Sequence, residues 1–68
     1  MDRVHYTVSG LGNSINKTQV KNALEKLQGV QEVCVDLGRS TIEVMFNEKT
    51  SEEEIRNSIE DTGFNIEA

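Results

Sequence analysis

Three runs of the chain alternate apolar and polar residues with a period of two. Residues 4–8 read Val-His-Tyr-Thr-Val, residues 33–37 read Val-Cys-Val-Asp-Leu, and residues 42–46 read Ile-Glu-Val-Met-Phe. Such alternation fits a β-strand with one buried face, and a slip of one residue would turn every apolar side chain to water. The first strand then sends Val4, Tyr6 and Val8 to a core, and His5 and Thr7 away from it. The second, over residues 30–37, sends Val33, Val35 and Leu37 inward and Glu32, Cys34 and Asp36 outward. The third, over residues 41–46, sends Ile42, Val44 and Phe46 inward and Thr41, Glu43 and Met45 outward. Gly38-Arg39-Ser40 joins the last two across a turn of hairpin length.

Two stretches follow a different period. Val20, Ala23, Leu24 and Leu27 recur at i, i+3, i+4, i+7 and predict an amphipathic helix over residues 16–27, with Lys17, Lys21, Asn22 and Glu25 on its solvated side. Asn16, with Gln19 three residues on, approximates a capping box. Asn13 or Ser14 takes the cap if the helix starts earlier. Gly29 is expected just past the helix end. A second helix is predicted from Thr50 or Ser51. Ser51 and Glu54 stand at capping-box spacing, and Glu52 and Glu53 suit the positive end of the helix dipole. Ile55 and Ile59 line its buried side, with Ser58 and Thr62 beside them. Gly63 ends it, and residues 64–67 form a last short strand.

The order strand-helix-strand, strand-helix-strand predicts an α+β fold, the ferredoxin-like βαββαβ sandwich. Its four-stranded antiparallel sheet has spatial order 4-1-3-2. Both crossovers are right-handed, both helices cover one face, and the other face meets water. The 68 residues are read as one domain, residues 1–68, whose core supplies roughly 3–5 kcal/mol of net stability.

Twelve acidic against seven basic residues give a net charge of −5. Neutralising nucleic-acid phosphates, or docking on anionic lipid, needs the opposite sign. Neither partner is expected, and a basic protein surface suits the overall charge better. The single cysteine, Cys34, excludes an intramolecular disulfide, so a cytoplasmic, reducing setting is expected. No apolar run approaches the ~18 residues of a membrane-spanning helix, and no signal-peptide pattern is visible. The sequon Asn16-Lys17-Thr18 therefore has no expected use.

Residues Gly10-Leu11-Gly12-Asn13-Ser14-Ile15-Asn16, between the first strand and first helix, resemble the loop of heavy-metal-associated domains, the small modules of copper chaperones and metal-transporting ATPases. The family's loop reads Gly-Met-Thr/Ser-Cys-x-x-Cys. Further matches are Leu27-Gln28-Gly29-Val30-Gln31-Glu32-Val33, similar to the run leaving the first helix, Val35-Asp36-Leu37 and Ile42-Glu43-Val44 in the central hairpin, and the closing segment from Ile55 through Ile59 to Gly63-Phe64. The resemblance covers nearly the whole chain. Leu11 stands where the family has a buried methionine, a volume-conserving exchange. Asn13 and Asn16 stand where the family has its two metal-binding cysteines.

The family's function depends on those thiolates, because soft sulfur donors select Cu(I) and zinc-like ions. An asparagine amide offers only a neutral oxygen. The resemblance therefore implies a module of metallochaperone type without high-affinity Cu(I) or zinc binding at Asn13 and Asn16, with those residues as turn and capping groups. It implies a partner of the same kind, another heavy-metal-associated domain or a metal-transporting ATPase. Docking would use the loop-and-helix face carrying Ser14, Ile15, Lys17, Thr18 and Lys21, which suits an acidic partner. An alternative keeps metal: Cys34, Met45 and His5 share the outer sheet face, and a Cys/Met/His set has the softness for Cu(I) or zinc. The Glu52-Glu53-Glu54 run is read as a helix start. No catalytic constellation is present. Arg3 and Arg39 do not follow a phosphate-cradling loop, as an acylphosphatase-like enzyme on this fold would need, so no enzyme is expected.

Overall fold

The computed structural model describes residues 2–67. It contains β1 (Asp2–Ser9), α1 (Ser14–Glu25), β2 (Val30–Asp36), β3 (Thr41–Phe46), α2 (Glu52–Asp61) and β4 (Asn65–Ile66). The sheet runs β2-β3-β1-β4, which is the order 4-1-3-2 read from the other edge, and every pairing is antiparallel. The ferredoxin-like α+β fold expected from the alternation is the fold observed.

Register follows the apolar pattern. Val4 faces Val44 and Tyr6 faces Ile42 across β1 and β3, while Val33 faces Val44 and Val35 faces Ile42 across β2 and β3. Each row puts inward residues beside one another, and all of these except half-buried Val35 are buried. Val20 and Leu24 of α1 and Ile55 and Ile59 of α2 close over that face with no exposed surface. Truncating any of these to alanine would cost about 2–5 kcal/mol for the larger side chains. Leu11, Phe46 and Phe64 complete the core.

Several boundaries differ from the sequence reading, each for a local physical reason. Helix α1 begins at Ser14, not Asn16, because Asn13 adopts extended backbone and its side chain accepts the Asn16 N–H. The Asn16–Gln19 capping box is thereby replaced, and Asn16 lies inside the first turn. The helix ends at Glu25 with Lys26 as its cap, so Gly29 lies beyond the helix end, in a turn of its own. Its φ of +104° is one reason for glycine. Close approach is the other: a Cβ there would stand 2.8 Å from Asn47 Oδ1 and 2.9 Å from the Thr50 nitrogen.

Strand β2 ends at Asp36, one residue early, and carries a register irregularity between Val30 and Glu32. Leu37 still packs against the core from the turn. In the hairpin the positive φ falls on Ser40 rather than Gly38, and the Asp36 carboxylate accepts the Arg39 N–H at 3.1 Å. Strand β4 has two residues, shorter than the expected 64–67, although the Glu67 N–H still donates to the Thr7 carbonyl at 2.7 Å. At the start of α2 the Ser51 hydroxyl accepts the Glu54 N–H as expected. The Glu54 carboxylate, however, takes its hydrogen bond from the hydroxyl of buried Thr50 at 2.7 Å. No helix is long and apolar enough to cross a membrane among the described residues.

Candidate functional site

Loop 10–13 leaves β1 at the end of the molecule where α1 begins. Gly10 has φ +93°, and a Cβ on it would meet the Phe64 ring at 3.3 Å, so the backbone lies directly against that ring. Leu11 turns into the core at 5% exposure and anchors the middle of the loop. Gly12 lies in the open, with nothing within contact of its Cβ direction. The spacing of residues in the sequence gave no sign that Phe64 packs beneath this loop. The one available signal was that Gly10, at the end of an apolar strand, permits a turn other residues resist.

Asn13 and Asn16, the positions that the sequence resemblance aligns with cysteines, are tied to one another. Asn13 Oδ1 accepts the Asn16 N–H at 2.9 Å, and Asn16 Oδ1 faces the Gly12 N–H at a longer 3.4 Å. The Asn13 carbonyl accepts the Lys17 N–H at 3.1 Å, which starts the helical ladder. The first of these satisfies an N–H group that a helix start leaves without an intrahelical partner. Both amide oxygens are therefore directed at backbone. Neither residue supplies a charged or soft donor, so the pair does not fit Cu(I) or zinc in the way two thiolates do.

The rest of the loop face is open to solvent. Ile15 is 67% exposed and is the large apolar side chain standing in water among the described residues. Ser14, Lys17, Thr18 and Lys21 are exposed around it. Residues 10–24 hold two lysines and no acid, which leaves all twelve acids and five bases to the remainder of the chain. The loop and first turns of α1 thus form a basic segment of an otherwise acidic chain, reinforced by the positive end of the α1 dipole with no acid in its first turn.

The sheet-face alternative is spread over three strands. Glu43 on β3 is opposite Cys34 on β2 and opposite His5 on β1, so it stands between them. Met45 lies in the next outward row, between Arg3 and Glu32. His5, Cys34 and Glu43 line one shallow depression of about 210 Å³ with Asp36, Arg39 and Thr41. Even so, among the described residues no three His, Cys, Asp or Glu side chains converge to hold a metal ion. The two arginines weighed for phosphate binding lie near carboxylates: Arg3 Nε is 3.9 Å from Glu43 and Arg39 Nε is 3.9 Å from Asp36. A larger open depression of about 620 Å³ lies at the far end of β1, between Asp2, Arg3, Phe46 and the start of α2, away from the loop.

One buried polar atom has no partner among the described residues, the Tyr6 hydroxyl. Burial pushes its pKa above the ordinary value of 10.0, Glu52 adds to the rise, and Arg56 opposes it.

A sequence model of the heavy-metal-associated domain matches residues 6–65. Among solved structures, a copper binding domain from HMA7, a P-type ATPase, is 31% identical with a TM-score of 0.90, covering 100% of this chain and 96% of its own. The yeast copper transporter domain CCC2A, solved in apo and Cu(I)-loaded states, is 26% identical with a TM-score of 0.90, covering 96% and 90%. The CopZ metallochaperone shares the fold at 24% identity and a TM-score of 0.92, covering 96% and 98%. A comparison with curated proteins gives no significant match. The family match over most of the chain, together with the shared fold, places this protein in the heavy-metal-associated domain family.

Proposed function

We propose that this chain is a docking module of the metallochaperone type that engages an acidic protein surface through its loop and α1, without holding Cu(I) or zinc at that loop. The observation that carries the reading is the pairing of the Asn13 and Asn16 oxygens with backbone N–H groups beside an exposed Ile15. An apolar side chain flanked by lysines suits a partner with an apolar dimple and an acidic rim. Charges at such a rim steer encounter and set register. The partner proposed is another heavy-metal-associated domain, free or at the cytoplasmic end of a metal-transporting ATPase. The role is binding or regulation, with no enzymatic step, and the reducing cytoplasm is the setting in which Cys34 stays a thiol.

The test is a Cu(I) titration under reducing conditions against a competing chelator. No binding at sub-micromolar affinity is expected. One equivalent bound that tightly would sink the reading, and its loss in Cys34→Ser would move the ion to the sheet face with His5 and Met45. On the docking side, Ile15→Asp and Lys17→Glu should each weaken association with an acidic heavy-metal-associated domain while leaving the fold intact. Association should also fall as salt rises, since the lysines are exposed.

A further inference from the structure

We infer that Asn13 and Asn16 form a metal-independent lock that holds the loop in its docking conformation, so that the docking face is permanently presented. This rests on the docking reading above. Three separate restraints flank the passage from loop to helix. Gly10 lies against the buried Phe64 ring, Leu11 is sunk in the core, and Val20 fixes the helix behind with no exposed surface. Residues 12–16 carry the chain from the loop into the first turn of α1, and the two asparagine side chains bridge that passage: Asn13 to the Asn16 N–H, and Asn16 back to the Gly12 N–H.

The chemistry of the two positions gives the lock its meaning. A thiol at either position is a weak acceptor, so two cysteines on the same backbone would leave the Gly12 and Asn16 N–H groups without these bonds. With its thiols reduced, such a loop ties residue 13 to residue 16 through an ion held between its sulfurs. Here an amide makes that tie directly. Ile15 and Ser14 sit inside the bridged span, so the lock sets the direction in which the apolar contact is offered. A preordered loop also removes part of the ordering cost of association. The consequence is a module whose presentation of Ile15 does not respond to copper or zinc.

The test is ¹⁵N NMR on the metal-free protein. The Asn16 amide should exchange slowly, the Gly12 amide faster because its bond is longer, and residues 12–16 should be as rigid on the nanosecond scale as the middle of α1. One equivalent of Cu(I) should change none of this. Asn13→Ala should speed Asn16 amide exchange by about fivefold, the ratio matching a typical N-cap contribution of ~1 kcal/mol. Asn13→Ser, which keeps an acceptor, should retain most of the protection. Unchanged α2 amides in each variant report that the fold persists. Under reducing conditions, which keep both thiols free, the double variant Asn13→Cys with Asn16→Cys should be mobile over 12–16 without metal and ordered by Cu(I).

A mobile loop or an unprotected Asn16 amide in the metal-free wild type overturns the lock, as does a double-cysteine variant equally rigid without metal. Neither result touches the docking reading, which falls instead to tight Cu(I) binding or to docking that ignores Ile15→Asp.

Discussion

Asn13 and Asn16 meet through a 2.9 Å hydrogen bond from the Asn16 backbone N–H to the Asn13 side-chain oxygen. One asparagine thus caps the helix that the other has already entered. The same pair occupies the positions at which the family resemblance places thiolates, so the capping chemistry and the expected metal chemistry compete for one piece of backbone.

Removing the cap should destabilise the domain. Asn13→Ala is expected to cost about 1 kcal/mol, which for a domain of this size lowers Tm by roughly 4–8 °C. Asn13→Asp should hold stability or raise it slightly, because a carboxylate also caps and favours the helix N-terminus. Thermal denaturation followed by circular dichroism separates the three proteins. Equal Tm values for wild type and Asn13→Ala would mean that the bond contributes nothing.

Restoring sulfur should restore metal affinity. The variant Asn13→Cys with Asn16→Cys is expected to bind one equivalent of Cu(I) in competition with a chelator, where the wild type does not. A folded double variant that fails to bind would show that the loop backbone, and not only its side chains, is unsuited to the ion.

The Tyr6 hydroxyl, buried without a partner among the described residues, sets a stability and a pH prediction. An unsatisfied buried hydroxyl carries a desolvation penalty of about 1–3 kcal/mol. Tyr6→Phe should therefore be stabilising, by about 1 kcal/mol, in urea denaturation. The folded-state pKa lies above the ordinary 10.0. The native state therefore holds the proton more tightly than the unfolded chain, and this contribution is fully present below pH 10. It is lost as pH rises from 10.0 through the folded value. Tyr6→Phe should lose less stability than wild type above pH 10, and identical alkaline limbs would refute the assignment.

Two glycines should respond oppositely to alanine. Gly29→Ala puts a methyl group 2.8 Å from Asn47 Oδ1 and 2.9 Å from the Thr50 nitrogen at φ +104°, and should cost about 2–3 kcal/mol. Gly12→Ala meets nothing within 4 Å and should stay within about 0.5 kcal/mol of wild type. Denaturant midpoints for the two variants check the contrast. A mild Gly29→Ala would mean that the loop carrying Asn47 and Thr50 can yield.

The strands were readable because their signal is local. Val4, Tyr6 and Val8 alternate with His5 and Thr7, and burial follows that alternation residue by residue, with Thr7 half-buried. The stripes of Val20 and Leu24, and of Ile55 and Ile59, were readable for the same reason. The start of α1 was not. Asn13, Ser14 and Asn16 are all good capping residues by type, and only the distance from Asn13 Oδ1 to the Asn16 nitrogen selects among them. Nor was the full role of Gly29: a glycine near a helix end suggests a cap, whereas here the positive φ is joined by the close approach of Asn47 and Thr50, brought in by the chain after β3.

By itself the sequence determined the element order, the faces of the strands, the family, and the types of donor available in the loop. Those properties depend on residue chemistry and on periods of two and 3.6, which operate within a few neighbours. The tertiary structure alone decided where the Asn13 and Asn16 oxygens point, that Phe64 supports Gly10, and that the Tyr6 hydroxyl is buried without a partner among the described residues. Except for the asparagine pair, each is a meeting of residues distant in the chain. Even that pair depends on an extended Asn13 backbone, two residues after the buried Leu11.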